Sequence, residues 1–218
     1  MAITDAKLDR VSMVGGGSVY PAVQNAMLAC VQEGLGCTLT TLHCLHEDAV
    51  KDVSAVLDWV AKSDSLDAQR VAVYGGSYGG FMSLACLVNY PERFRCGVDN
   101  VGIANFATFL RDTSDYRRNA RRLEYGDERK PEVKAFLDSI SPANHADQIR
   151  SPLLIIQGKN DPRVPVTEAE QMRDAVKAKG GIVWYVMAKD EGHGFVKKTN
   201  ADYQFAATIL FLRAHLLD

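Results

Sequence analysis

Five residues, Gly75-Gly76-Ser77-Tyr78-Gly79, set one serine among glycines, directly after the strand-like run RVAVY (70–74) and before a helix-like segment starting at Gly80. Glycine costs an ordered segment roughly 0.5–1 kcal/mol relative to alanine, so its repeated use calls for a steric reason. A serine on a sharp strand-to-helix turn supplies one. Small residues two places before and after it let strand and helix pass closely while the hydroxyl stands clear. The simpler alternative is a glycine-rich turn that only packs strand on helix. Chemistry separates the two, because a serine hydroxyl is a poor nucleophile at neutral pH. It needs a base within hydrogen-bond reach, and the base needs an acid to hold it.

The chain offers both partners. Asp161 lies in QGKNDPRVP, just past the apolar run 152–157, and His193 lies in KDEGHGF, just past the run 182–188. Taken singly, Asp161 also fits an Asx turn before Pro162, and His193 a loop histidine between glycines. Found in order after three strand-like runs, the three residues fit a relay. Ser77 is its nucleophile, His193 its base and Asp161 the orienting carboxylate. The other histidines lack such a setting: His43 and His46 precede a helix-like segment, His145 sits in polar SPANHADQI, and His215 is in the last helix-like segment. Asp190 and Glu191 are too close in sequence to His193 to orient it easily, and Asp99 ends an earlier strand.

Positioning such residues requires a scaffold, and strand-like and helix-like runs alternate along the chain. They are RVSMV (10–14), helix 21–33, CTLTTL (37–42), helix 47–61, RVAVY (70–74), helix 80–90 and RCGVDNV (95–101). A mixed polar region, 104–150, is followed by PLLIIQ (152–157), helix 167–179, IVWYVMA (182–188) and helix 201–216. This alternation implies a mostly parallel sheet with helices on both faces, a three-layer α/β sandwich. In EDAVKDVSAVLDWVA, Val50, Val53, Leu57 and Val60 form one stripe. TEAE (167–170) reads as a capping box with Gly180 as the stop. Ligands of open α/β sheets bind at the carboxyl ends of the strands, where Ser77, Asp161 and His193 would all lie.

The 218 residues, with a net charge of −2 and near-average apolar content, suit one domain with a sizeable core, residues 1–218. The charge balance argues against nucleic acid as a partner. No apolar run approaches the roughly 18 residues that span a membrane, and MAITDAKLDR lacks the apolar stretch of a secretory signal, so a cytoplasmic location is expected. Five cysteines without a C-x-x-C pair point to reduced, packed thiols. Cys37, His43, Cys44 and His46 match no common zinc spacing, so neither metal nor cofactor is expected.

The order Ser, Asp, His is that of α/β-hydrolases. From Glu47 onward the chain resembles the catalytic domain of prolyl oligopeptidase-type serine peptidases, the group that includes acylaminoacyl and dipeptidyl peptidases. The matching stretches are EDAVKDVSAVLDWVA, RVAVYGGSYGGFM, EYGDE, SPANHADQIRSPLLIIQGKNDPRVP and EGHGF. The resemblance implies an α/β-hydrolase fold, with 47–218 as the family-like part and 1–46 divergent, and the same triad. It also implies that Arg163 reaches a substrate carbonyl on the acyl side of the scissile bond and that Val164 lines the specificity pocket. A solvated arginine and a packed valine are the plainer alternatives. Phe106 and Phe109, in NFATFL, either complete an apolar pocket or belong to the core.

Family members usually carry a propeller domain and a His-Gly-Gly-Pro loop, and neither occurs in these residues. Gly15, Gly16 and Gly17 offer a substitute: their backbone N–H groups could join that of Tyr78 in an oxyanion hole. An ordinary strand-to-helix turn is the competing account. The resulting expectation is a serine hydrolase acting on small peptide or ester substrates through an acyl-enzyme. The alternatives are a small-ester carboxylesterase without peptidase activity, or a weakly active or binding-only domain. With RVSMV as first strand the sheet would be shortened at its N-terminal side. An exposed edge would then favour a homo-oligomer.

Overall fold

The computed structural model describes residues 3–5, 10–12 and 47–217. The first two segments are strands β1 (Ile3–Asp5) and β2 (Arg10–Ser12), which pair antiparallel with Thr4 opposite Val11. RVSMV was expected to open the parallel sheet. Its described part instead pairs with β1, a pairing that a short connection can make and that needs no crossover. Gly15 to Gly17, helix 21–33, CTLTTL and the cluster Cys37, His43, Cys44 and His46 lie outside the described residues.

The main sheet has four strands, β3 (Ala72–Gly76), β4 (Cys96–Asn100), β5 (Leu153–Gly158) and β6 (Val183–Ala188), all parallel and side by side in chain order. Their connections are helical. Helix α1 (Glu47–Lys62) precedes β3, α2 (Tyr78–Asn89) joins β3 to β4, and α6 (Val166–Ala178) joins β5 to β6. Between β4 and β5 the region read as mixed and polar folds into α3 (Phe106–Asp112), α4 (Asp115–Tyr125), α5 (Pro131–Ile140) and a 3-10 segment (Pro142–Gln148). The chain closes with α7 (Lys198–Leu212) and a π turn (Arg213–Leu217).

Strand β5 shows why the sheet is covered on both sides. All six of its residues are buried, and successive side chains point to opposite faces. Leu153 and Ile155 join Leu84 and Leu87 of α2 and Met172 and Val176 of α6 on one face. Leu154 and Ile156 join Phe211 of α7 and Leu216 on the other. Three layers result, as the alternating pattern predicts, and the arrangement is that of an α/β-hydrolase. The α1 stripe also turns inward, with Leu57 and Val60 buried and Val53 packed beside them. Among the described residues, no helix is long and apolar enough to cross a membrane.

One helix signal was misplaced. Helix α6 starts at Val166 behind Pro165 and has no side-chain cap, so Thr167 lies inside the first turn instead of capping it. Proline's fixed φ starts the helix without help from a side chain. Glu168 is therefore turned into the protein. It is buried, and it accepts the N–H groups of Ala104 (3.1 Å) and Asn105 (2.8 Å) and the hydroxyl of Thr108 (2.5 Å). Gly180, with φ +80°, does end the helix.

Candidate active site

Ser77 follows the last residue of β3 and precedes the first of α2, so strand and helix meet on it. Its φ is +59°. A left-handed φ costs a non-glycine residue of order 1–3 kcal/mol, and surrounding structure must hold it. Here the Ser77 N–H donates to the Asn100 carbonyl (2.9 Å), while the Ser77 carbonyl accepts from Gly80 (2.9 Å) and Phe81 (3.2 Å). Among the described residues the other non-glycine residue with positive φ is Val101 (+51°), next to the Asn100 whose carbonyl accepts the Ser77 N–H. Backbone strain among the described residues is thus gathered on two adjoining strand ends. Strand and helix pass so closely that a Cβ on Gly75 would stand 1.9 Å from the Gly79 carbonyl oxygen. A Cβ on Gly79 itself would meet nothing within 4 Å, so of the two glycines flanking the serine only the first is sterically required.

The three predicted residues converge. His193 Nε2 lies 2.9 Å from Ser77 Oγ, and His193 Nδ1 lies 2.7 Å from Asp161 Oδ2. The Asp161 side chain is fully buried, whereas that of His193 keeps 14% of its exposure. Both readings of Asp161 hold together. Its Oδ1 accepts the N–H groups of Arg163 (2.8 Å) and Val164 (3.0 Å) in an Asx turn, which fixes the carboxylate with Oδ2 left for the histidine.

Two residues hold the loops of the triad: Gln157, which escaped the sequence reading, and Glu191, which it set aside as a partner for His193. Gln157, buried at the end of β5, donates from Nε2 to the Val164 carbonyl (3.1 Å) and lies 3.4 Å from Asp161 Oδ2. A polar residue ending a fully apolar strand was its only signal. Glu191 does not touch His193, but it accepts the N–H groups of Val196 (3.1 Å) and Lys197 (2.8 Å) and the amide of Asn200 (2.8 Å). These contacts tie the histidine loop to the start of α7. The bonds from Asn200, Val196 and Lys197 hold the Glu191 carboxyl below its ordinary pKa. Asp190 faces outward and pairs with Lys197.

The substrate-side residues divide. Arg163 is exposed and its guanidinium has no partner among the described residues, while its backbone is held at both ends: N–H on Asp161 and carbonyl accepting from Thr113 (2.8 Å). Val164, Phe106 and Phe109 are only 2%, 1% and 3% exposed and share one cluster with Phe81, Met82 and Leu110. In this structure they are packed side chains. The aromatic ring that reaches the serine turn is that of Tyr125, half-buried and stacked on Tyr78 at 6.2 Å between centroids. Tyr78, the first residue of α2, follows Ser77 directly, so its backbone N–H belongs to the serine turn. Gly16 and Gly17, the other candidate oxyanion donors, lie outside the described residues.

Comparison with known proteins identifies the family. Dipeptidyl aminopeptidase BIII of Pseudoxanthomonas mexicana is 40% identical over 173 residues, covering 77% of this chain and 24% of that protein. The acylamino-acid-releasing enzyme of Homo sapiens is 29% identical over 175 residues, covering 78% of this chain and 24% of the enzyme. Among solved structures, a Mycobacterium tuberculosis puromycin-hydrolyzing peptidase superposes with a TM-score of 0.71 at 28% identity, over 77% of this chain and 25% of that one. The chain thus spans about a quarter of the length of these relatives. The sequence pattern of the prolyl oligopeptidase family matches residues 43–218, and the chain belongs to that family of serine peptidases.

Proposed function

We propose that the protein is a serine hydrolase that cleaves peptide or carboxylic ester bonds of small substrates through an acyl-enzyme on Ser77. The observation that carries this reading is the unbroken hydrogen-bonded chain Ser77–His193–Asp161 at the strand ends. Ser77 Oγ attacks the carbonyl carbon, and its proton passes to His193 Nε2. Asp161 keeps the other proton on Nδ1 and stabilises the imidazolium that forms. The carbonyl oxygen, now negative, takes hydrogen bonds from the Tyr78 N–H and a second backbone donor. On collapse the carbon–nitrogen or carbon–oxygen bond breaks and the leaving group takes the proton from Nε2. Water then repeats the sequence on the acyl-enzyme. The relatives named for dipeptidyl, acylamino-acid and puromycin hydrolysis support amide bonds within the substrate range.

An organophosphonate probe tests the proposal, since only an activated serine is captured covalently. The wild-type protein should be labelled on the peptide containing Ser77, with loss of activated-ester hydrolysis, and Ser77→Ala should show neither labelling nor turnover. Labelling that persists at full stoichiometry in Ser77→Ala would sink the assignment. A folded wild-type protein that resists the probe would favour a binding-only domain.

A further inference from the structure

The penultimate residue of β4, Asp99, is an acid that the proposed chemistry does not use. Asp99 has no solvent exposure, and neither carboxyl oxygen makes a hydrogen bond of ordinary geometry; the donor that favours its anion is the neighbouring Gly102 amide. A carboxylate in that state is costly. The surroundings are nevertheless shaped to admit the group. Asp99 lies in register between Gly75 of β3 and Ile155 of β5. Its Oδ1 would stand 2.4 Å from a Cβ on Gly80 and 2.0 Å from a Cβ on Gly102, so any side chain at either glycine would collide with it. The same elements carry the nucleophile. Gly80 donates its N–H to the Ser77 carbonyl, and Asn100, the next residue after Asp99, accepts the Ser77 N–H.

We propose that Asp99 is a positioning residue of the Ser77 turn that works as an uncharged carboxylic acid, and that its ionisation at higher pH switches the site down. The proposal rests on Ser77 being the nucleophile.

Its charge state follows from what faces it. Beside it, β3 offers Gly75, β5 offers Ile155, and α2 and the loop after β4 offer Gly80 and Gly102, none of which is a cation. Burial above all, with the repulsion of Glu168 of α6 added to it, pushes the Asp99 carboxyl up to about 7, against the Gly102 amide, which favours the anion. Burial also raises Glu168, to about 7, against the opposing pull of its donors Thr108, Asn105 and Ala104. Asp99 has the Gly102 amide alone, against three donors on Glu168, so of the two acids it has the weaker support for a charge. This matters for catalysis because negative charge develops on the substrate oxygen at the first turn of α2. A carboxylate packed against Gly80 in that turn would oppose it, and a neutral acid does not.

The test is the pH profile of kcat/KM for an activated ester, for wild type and Asp99→Asn. Wild type should lose about tenfold as Asp99 ionises, the order expected for two charges roughly 10 Å apart at an effective dielectric of about 20. Asp99→Asn, which is isosteric and cannot ionise, should keep activity near neutral pH within a few-fold and lose the alkaline decline. An unchanged alkaline decline in Asp99→Asn overturns the proposal. Infrared spectroscopy reads the charge without activity. Near pH 6 ordinary carboxyls are ionised, so a carboxylic-acid carbonyl band there should be present in wild type, survive Glu168→Gln and vanish on raising the pH. Its absence overturns the inference even if Ser77 is the nucleophile. Failure of the Ser77 assignment alone would instead leave the band in place and abolish the dependence of labelling on Ser77.

Discussion

The hydroxyl of Ser77 lies 2.9 Å from Nε2 of His193 across 116 residues of sequence. That closeness is produced by parallel topology. Ser77 follows β3 and His193 follows β6, and in a parallel sheet every strand delivers its carboxyl end to the same edge. Asp161 arrives from β5 by the same route. The connections behind these strands can therefore vary without moving the three side chains.

Asp161→Asn should keep the fold and lose most of the activity. One side-chain oxygen can still accept the Arg163 and Val164 N–H groups that form the turn. The amide nitrogen would then face His193 Nδ1, favour the wrong tautomer and leave the imidazolium unstabilised. We expect kcat to fall by about 10³–10⁴-fold with little change in Tm. A fall in Tm matching the loss of activity would mean that the carboxylate serves the loop and not the histidine.

Gly75→Ala and Gly79→Ala should differ sharply, although the glycines are symmetric about the serine in sequence. A methyl group on Gly75 lands 1.9 Å from the Gly79 carbonyl and 2.8 Å from Ser83 Oγ, and forces strand and helix apart. A cost of about 1–3 kcal/mol in stability is expected, the usual range for overpacking, together with reduced labelling of Ser77. On Gly79 the methyl meets nothing, and alanine also favours a helix by about 1 kcal/mol over glycine. Urea unfolding of both variants checks this; equal losses would refute the close approach at Gly75.

Residues that report directly on backbone geometry were readable in the sequence. The strands appear as short apolar runs within two residues of their observed limits, and Ser77, Asp161 and His193 stand at their ends. Residues 104–150 were not readable. Helix α4 has no buried residue, and its inward side carries half-buried arginines such as Arg118 and Arg122, which bond to the Thr113 carbonyl and to Glu128. Apolar periodicity, the main sequence signal for a helix, is missing there. Phe106 and Phe109 show the opposite limit. Their spacing suits a core and a pocket equally, and their packing against Phe81 and Tyr125 is seen only in the structure. Asp99 and Glu168 look like ordinary strand-end and helix acids until burial is known.

Those two acids give stability a pH dependence of definite sign. Both have pKa values raised to about 7 in the native state, against about 4 in the unfolded chain. Between those values the native protein holds more protons than the unfolded one, so their contribution to stability is complete below about pH 4 and is lost as pH rises through about 7. Replacing Asp99 by asparagine removes one of the two groups. The stability of Asp99→Asn relative to wild type should therefore rise as pH is raised across that window, measured by urea unfolding at several pH values. A constant difference between the two proteins would show that Asp99 ionises normally in the folded state.

Arg163 separates peptide from ester recognition. Its backbone serves the loop, through the N–H to Asp161 and the carbonyl from Thr113, and alanine keeps both bonds. Its side chain is exposed and without a partner among the described residues, so removing it should leave the triad in place. If the guanidinium holds a substrate carbonyl one residue upstream of the scissile bond, it contributes only where that carbonyl exists. A hydrogen bond from a charged donor is worth about 1.5–3 kcal/mol, which corresponds to roughly ten- to a hundredfold in kcat/KM. Arg163→Ala should therefore lose that much on a blocked dipeptide substrate and almost nothing on a short aryl ester, which has no such carbonyl. Equal losses on both substrates would place the side chain in support of the Asp161 loop. No loss on either would make it a solvated surface residue and favour a small-ester hydrolase.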